Sequence, residues 1–311
     1  KRQVPVLIIG FNRPEIIKQS FEYIRKARPK KLYVAIDGPR TGIAEDVELI
    51  NKVRSIVQNI DWQCEKHFKF NETNQGAEIT VSSAISWVLN KEKYVIILED
   101  DIIATLSFFK FAREMLIRYE NDECIGIISG NNFTPIKLKG DEDYFFGKYA
   151  HSWGWATWKR VWDRFDINLE VDKKHQKRKF LNSISNSRAE ANFYKRRFKS
   201  MRKRGAGNNT WDVTANYISR INHRINIIPR VNLTSNIGIY GVHARGESVF
   251  HNLKCDEDFI VINHPKVVEI NNDYDKYHFN EHIRKYQKNI IERGMRKLSK
   301  YFKKYSKTPK G

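Results

Sequence analysis

Short apolar runs recur through the first half of the chain, each followed by a segment whose apolar positions return every three or four residues. Val4–Ile9, Lys31–Ile36, Cys64–Phe70, Tyr94–Leu98 and Ile125–Ser129 have strand length. Between them Pro14–Ala27, Ala44–Ile60, Asn74–Leu89 and Ser107–Tyr119 follow the helical period, the first opened by Arg13-Pro14. Strand alternating with helix predicts an α/β fold, with a mainly parallel central sheet and helices on both faces. The second half is less regular. A Trp-rich stretch, His151–Phe165, precedes a charged helical insertion reaching Arg204. A Gly/Asn loop (205–209), a helix over Trp211–Arg220, a strand over Ile225–Pro229 and a Gly-rich loop over Asn236–Ser248 follow.

The 311 residues are 41% hydrophobic and 30% charged, which excludes collagen-like and wholly disordered chains. The longest apolar runs, Val4–Gly10 and Tyr94–Leu98, fall far short of the roughly 20 residues of a spanning helix. No secretory apolar region is visible, and a chain beginning at Lys1 is expected to be a trimmed or processed product. Cys64, Cys124 and Cys255 are widely spaced, so neither a disulfide framework nor a zinc site is expected, and a reducing compartment is.

Charge changes the picture more. The net charge is +20, but Lys173–Arg204 holds 13 Lys/Arg against Glu190 alone, and Arg284–Lys310 holds 11 against Glu292 alone. Outside these two appendages the chain carries a net charge of −2. In the second appendage Ile283, Tyr286, Ile290, Ile291, Leu298, Tyr301, Phe302 and Tyr305 recur near helical spacing. That is the pattern of a basic amphipathic helix at an anionic membrane surface, or of a helix docked on its own domain. Nucleic acid is disfavoured, because no RRM, KH, zinc-finger or helix-turn-helix signature accompanies the charge.

In parallel sheets, ligands bind beyond the carboxyl ends of strands. Asp37, Glu99-Asp100-Asp101 and Ser129-Gly130-Asn131-Asn132 all fall there. Three consecutive acids repel one another unless a cation or hydrogen-bond donors offset them. Hard divalent ions take one or two carboxylates plus phosphate oxygens; the competing reading is a helix N-cap. Asp37-Gly38-Pro39 is also good turn chemistry. Asp212 reads either as a base beside Trp211 or as the cap of the helix that follows.

Val95–Phe109, with its Glu99-Asp100-Asp101, resembles the metal-binding strand of the N-acetylglucosaminyltransferase I family. Other blocks match in order: Pro5–Arg13, Ala35–Gly38, Ser152–Trp155, Thr210–Asp212 and Ser235–Gly246, so the resemblance spans about Val4 to Asn252. It implies a GT-A fold, to which this chain adds a basic helical insertion and a C-terminal helix. The implied domain covers 1–270, with a nucleotide-binding half at about 1–132, an acceptor half at about 133–270 and the insertion at about 166–205. A basic amphipathic segment, 271–311, follows.

The activity implied is metal-dependent inverting sugar transfer from a nucleotide diphosphate donor, a UDP-sugar with GlcNAc as first candidate, to a glycan or lipid-linked acceptor. The resemblance makes Asp101 the ligand of a divalent cation, Mn2+ or Mg2+, with Asp100 and Glu99 serving the ribose and metal-bound water. It places Asp37 on the nucleobase, Arg13 on the nucleotide, Trp211 beside the donor sugar and Asp212 as catalytic base. The Asn236–Ser248 loop would close over the diphosphate, and there His243 and Arg245 are either phosphate contacts or ordinary loop groups. Among Trp153, Trp155, Trp158 and Trp162, at least two are expected in the core and one or two against a sugar face.

The long basic insertion departs from the family's core, so the acceptor does not follow from the resemblance. The expected location is cytoplasmic, peripheral on the inner membrane surface. Two alternatives stand beside this reading. One is a nucleotidyltransferase making nucleotide sugars, disfavoured because Gly10–Pro14 has a single Gly where such enzymes carry a Gly-rich phosphate loop. The other is a non-catalytic basic module binding RNA or anionic lipid.

Overall fold

The computed structural model describes residues 2–134, 140–168, 171–205, 208–239 and 250–285. The strands in chain order are β1 (Val6–Gly10), β2 (Lys31–Ile36), β3 (Glu65–Phe70), β4 (Tyr94–Glu99), β5 (Ile102–Ala104), β6 (Ile125–Ser129), β7 (Tyr144–Gly147), β8 (Trp155–Trp158), β9 (Ile225–Pro229) and β10 (Thr234–Asn236). The α-helices are α1 (Pro14–Ala27), α2 (Ala44–Gln58), α3 (Ala77–Leu89), α4 (Leu106–Arg118), α5 (Lys159–Trp162), α6 (Arg178–Ser183), α7 (Arg188–Arg204), α8 (Trp211–Ile221) and α9 (Asn272–Tyr277).

Eight strands form one sheet in the order β3-β2-β1-β4-β8-β6-β9-β7. The pairings give β3, β2, β1, β4, β6 and β9 one direction, with β8 and β7 opposed. This is the mainly parallel α/β sheet expected from the strand–helix rhythm. Side chains alternate across it: Val6 and Ile8 of β1 join a core with Phe21, Ile50 and Phe111 from α1, α2 and α4. Leu7 and Ile9 join the opposite core with Val81, Ile85 and Val88 from α3. α1 begins at Pro14, whose fixed φ suits the first helical position.

The Trp-rich stretch contains the central strand β8, wedged between β4 and β6 and antiparallel to both. All four of its residues are buried. A strand covered on both faces shows no polar alternation, which is why the hydropathy pattern hides it. β5 and β10 form a separate antiparallel pair that follows directly on the acidic trio.

The insertion folds onto the sheet through its own apolar cluster, in which Leu181, Phe193 and Phe198 meet Tyr217 of α8 and Tyr274 of α9. Ser187 caps α7, its Oγ accepting from Glu190 N at 3.1 Å. Glu190, the one acid of Lys173–Arg204, is buried; it accepts from Tyr149 OH at 2.7 Å and pairs with Arg220 at 3.6 Å. The Arg220 guanidinium lies 4.3 Å from the Tyr149 ring centroid and 4.8 Å from that of Tyr194.

After α9 a wide helical turn runs over His278–Arg284, and Ile283 packs against the insertion's cluster. The rest of the expected C-terminal amphipathic helix, from Tyr286 on, lies outside the described residues. Among the described residues no helix is long and apolar enough to cross a membrane.

Candidate active site

β1, β2, β4 and β6 end at one edge of the sheet, and the loops beyond them bring Arg13, Asp37, Glu99-Asp100-Asp101 and Asn131 to that edge. Arg13 stands just before α1 and reaches across to β4. Its Nε donates to Asp100 Oδ2 at 3.2 Å, and its Nη2 donates to Asp100 Oδ1 and to Asp101 Oδ2, the latter at 3.0 Å. Burial opposes the Arg13 charge, but the two carboxylates outweigh it and raise its pKa.

Asp100 is buried, whereas Glu99 and Asp101 keep partial exposure. Burial lifts the Asp100 pKa to about 6, against the pull of Arg13. Burial, then Asp101, Asp100 and Asp212, push Glu99 to about 8. The trio does not cap a helix. β5 intervenes, and the residue that caps α4 is Thr105, whose Oγ1 accepts from Phe108 N at 3.2 Å.

Asp101 meets the chain again beyond β10. Its carbonyl accepts from Ile237 N at 2.9 Å, and Gly238 packs on its side chain. A Cβ at position 238 would lie 2.2 Å from Asp101 Oδ2, so only glycine leaves this carboxylate its space. Among the described residues no three or more His, Cys, Asp or Glu side chains group to hold a metal ion. A cation here would therefore draw on one or two carboxylates and take its remaining oxygens from a ligand's phosphates, the usual mode for Mg2+ in phosphate-handling sites. Asp101, whose side chain is 15% exposed and whose Oδ2 accepts from Arg13, is the carboxylate of the trio on which such a donor set would draw.

Asp37 follows β2 and is buried. Its carboxylate accepts from Gly38 N at 2.9 Å, Asn71 Nδ2 at 2.9 Å, Asn74 Nδ2 at 2.9 Å, Gln75 N at 3.0 Å and Gly76 N at 3.0 Å. Five donors occupy the carboxylate expected to meet a nucleobase. Its observed work is to fold the segment before α3 into a shelf beside the β2 edge. Gly38 is held equally tightly, since a Cβ there would lie 2.5 Å from the Thr73 backbone.

Asp212 arrives through tryptophan packing. Trp211, the first residue of α8, stacks on Trp155 of β8 with ring centroids 5.5 Å apart and planes 13° off parallel. Trp155 pairs with Ile97 of β4, two residues before Glu99. Asp212 therefore stands at the carboxyl end of β4. Thr210 occupies the N-cap position of α8, so Asp212 is the second helical residue and not the cap.

The Asp212 carboxylate makes no hydrogen bond to another described residue and is partly exposed. Glu78 of α3 lies near it: burial first, then Asp212, raises the Glu78 pKa, with Arg204 opposing. Protein packed around the head group lowers the pKa of Arg197 on α7 while Asp212 supports its charge, and the residue as a whole still reaches solvent. Neither Glu78 nor Arg197 is marked in the sequence, because α3, α7 and α8 meet only in the folded chain.

Trp211, expected beside a donor sugar, is buried with one ring face on Trp155. Trp155, Trp158 and Trp162 are core residues. Trp153 is the partly exposed member, with its ring centroid 5.2 Å from that of His251 and 5.4 Å from that of Phe133. Asn131 is fully buried beyond β6, and both of its amide atoms lack hydrogen-bond partners among the described residues. His243 and Arg245 lie outside the described residues.

No protein-family model and no curated protein matches the chain. Among solved structures, it is similar to S. aureus TarS 1-349 at 14% identity and a TM-score of 0.36, over 53% of this chain and 50% of that one. The mannosyltransferase PcManGT from Pyrobaculum calidifontis, in complex with GDP-Man and Mn2+, matches at 13% identity and a TM-score of 0.36, over 56% and 51%. HddC from Yersinia pseudotuberculosis matches at 12% identity and a TM-score of 0.32, over 51% and 79%. The match spans about half the length of the first two structures. Likeness at this level assigns no activity to the chain.

Proposed function

We propose that the chain is a metal-dependent inverting glycosyltransferase of GT-A type. It moves a sugar, with GlcNAc as first candidate, from a UDP-sugar to a hydroxyl of a glycan or lipid-linked acceptor. The observation that supports this best is the placement of Asp212: the Trp211–Trp155 stack sets a carboxylate with no hydrogen-bond partner among the described residues at the same sheet edge as Glu99-Asp100-Asp101.

Asp101 would hold a divalent cation, Mn2+ or Mg2+, which supplies charge neutralisation to the departing diphosphate. Arg13 orients Asp100 and Asp101 through its guanidinium hydrogen bonds. The turn organised by Asp37 lines the nucleobase side through its backbone and neighbours. A sugar hydroxyl is a weak nucleophile at neutral pH, so Asp212 accepts its proton as it attacks the anomeric carbon. With one base on the acceptor side and direct displacement, the anomeric centre inverts. A cytoplasmic position at the inner membrane surface suits a lipid-linked acceptor and the basic C-terminal segment.

The test is Asp212→Asn. Transfer and donor hydrolysis are expected to fall about 100- to 10,000-fold, the usual contribution of a positioned base. Nucleotide-sugar affinity should change little. A variant that turns over at the wild-type rate contradicts the assignment.

A further inference from the structure

Lys173–Arg204, within the insertion between β8 and α8, carries cations almost without counter-charge. Of its 14 charged residues, 13 are Lys or Arg, and the exception, Glu190, is buried against Tyr149 and Arg220. α7 buries Phe193, Tyr194, Phe198 and Met201, which leaves Lys195, Arg196, Arg197, Lys199, Arg202 and Lys203 exposed. None of these six forms an ion pair with another described residue.

This face leads to Asp212. Arg197 and Arg204 lie two helical turns apart on one side of α7. Arg204 Nε donates to Asn209 Oδ1 at 2.9 Å, and Asn209 Nδ2 donates to Gly205 O at 3.1 Å, which folds the end of α7 back on the turn three residues before Asp212. Arg197 feels the Asp212 charge directly, and Arg204 acts on Glu78 beside it.

We infer that the outer face of α7 is an acceptor subsite for a polyanion, a polymer bearing repeated phosphate or carboxylate groups whose terminal hydroxyl is led past Arg197 and Arg204 to Asp212. This rests on the reading of Asp212 as the base. The same face argues against two other anionic partners. A membrane-binding helix inserts apolar side chains beside its cations, and a single-strand nucleic-acid site stacks bases on aromatic rings. The apolar and aromatic residues of α7 are instead turned into the core.

The test is fluorescence anisotropy of the full chain with labelled long-chain polyphosphate and labelled polygalacturonate. Single-stranded RNA and phosphatidylglycerol vesicles serve as competing arms, and all are measured from 50 to 200 mM salt. The wild type is expected to bind at least one polymer, with affinity falling about 1,000-fold over that range for six contacts. Which polymer binds identifies the anion.

Replacing Lys195→Gln, Lys199→Gln and Lys203→Gln together should weaken binding at least tenfold, with circular dichroism confirming the fold. Absence of polymer binding by the wild type, undiminished binding by the triple variant, or tighter binding to RNA or vesicles overturns the inference. Nucleotide-sugar binding measured on the same sample separates the two claims. A chain that binds a nucleotide sugar but no polymer loses only the subsite. A chain that binds polymer but no nucleotide sugar loses the glycosyltransferase reading, and with it the acceptor role of this face.

Discussion

Trp211 lies flat on Trp155, and the strand that carries Trp155 is paired to β4 beside Ile97, so one aromatic stack fixes the distance between the acidic trio and Asp212. Trp211→Ala should destabilise the fold by about 3–5 kcal/mol, the usual cost of emptying a buried aromatic site. Trp211→Phe should recover most of that stability, and turnover with it. Urea denaturation and donor hydrolysis on the same samples check both. An alanine variant that keeps full stability and full turnover would show that the stack positions nothing.

Asp37 gives a different signature. Its carboxylate accepts from five donors, and Asp37→Ala leaves them without it. A loss of several kcal/mol in stability is expected, at about 1–3 kcal/mol for each donor left buried and unpaired. Chemical denaturation measures it. Full stability combined with lost nucleotide affinity would instead point to direct contact between Asp37 and the base.

Asn131 runs the other way. A buried amide with neither atom bonded costs free energy, so Asn131→Leu, similar in shape and apolar, should raise the melting temperature. A fall in melting temperature would mean that the amide is satisfied in solution.

Acid should loosen the contact between α9 and the sheet. His151 Nε2 hydrogen-bonds to the Tyr274 hydroxyl at 2.5 Å, and its ring centroid lies 4.9 Å from that of His278. Burial, with His282 nearby, depresses His151 to about 3, against an ordinary value of 6.5. Burial, then His151, His282 and Arg220, holds His278 well below its usual range. The unfolded chain therefore binds more protons than the folded one below pH 6.5. Stability should be full above that pH and fall as pH drops from 6.5 toward 3, by up to about 1.4 kcal/mol per pH unit for each such histidine. Denaturation midpoints across that range check the slope, and His151→Gln should flatten it.

Much of the nucleotide-side half was legible in the chain. β2, β6 and α1 have the bounds their apolar periods predict, because each is a short run closed by a turn residue or opened by Pro14. β8 was not, since Trp155-Ala156-Thr157-Trp158 is buried on both faces and shows no alternation. β5 and β10 are three residues each and take their form from pairing across the chain. The acidic trio announced itself by position after an apolar strand. Its clamp by Arg13 did not, because no local pattern joins residues 87 positions apart. Asp37 shows the limit of a motif: Asp-Gly-Pro fitted both a turn and a base contact, and only the five donors show how the carboxylate is used.

The central claim is that Asp101 and its neighbours grip a cation-bound sugar nucleotide. The most direct measurement is the melting temperature with UDP-GlcNAc and related nucleotide sugars, with and without Mn2+, for the wild type and Asp101→Ala. At 100 times its dissociation constant a true donor should stabilise the wild type by about 2.7 kcal/mol in the presence of Mn2+, and Asp101→Ala should lose that shift. No shift with any nucleotide sugar, or an equal shift in Asp101→Ala, would contradict the account.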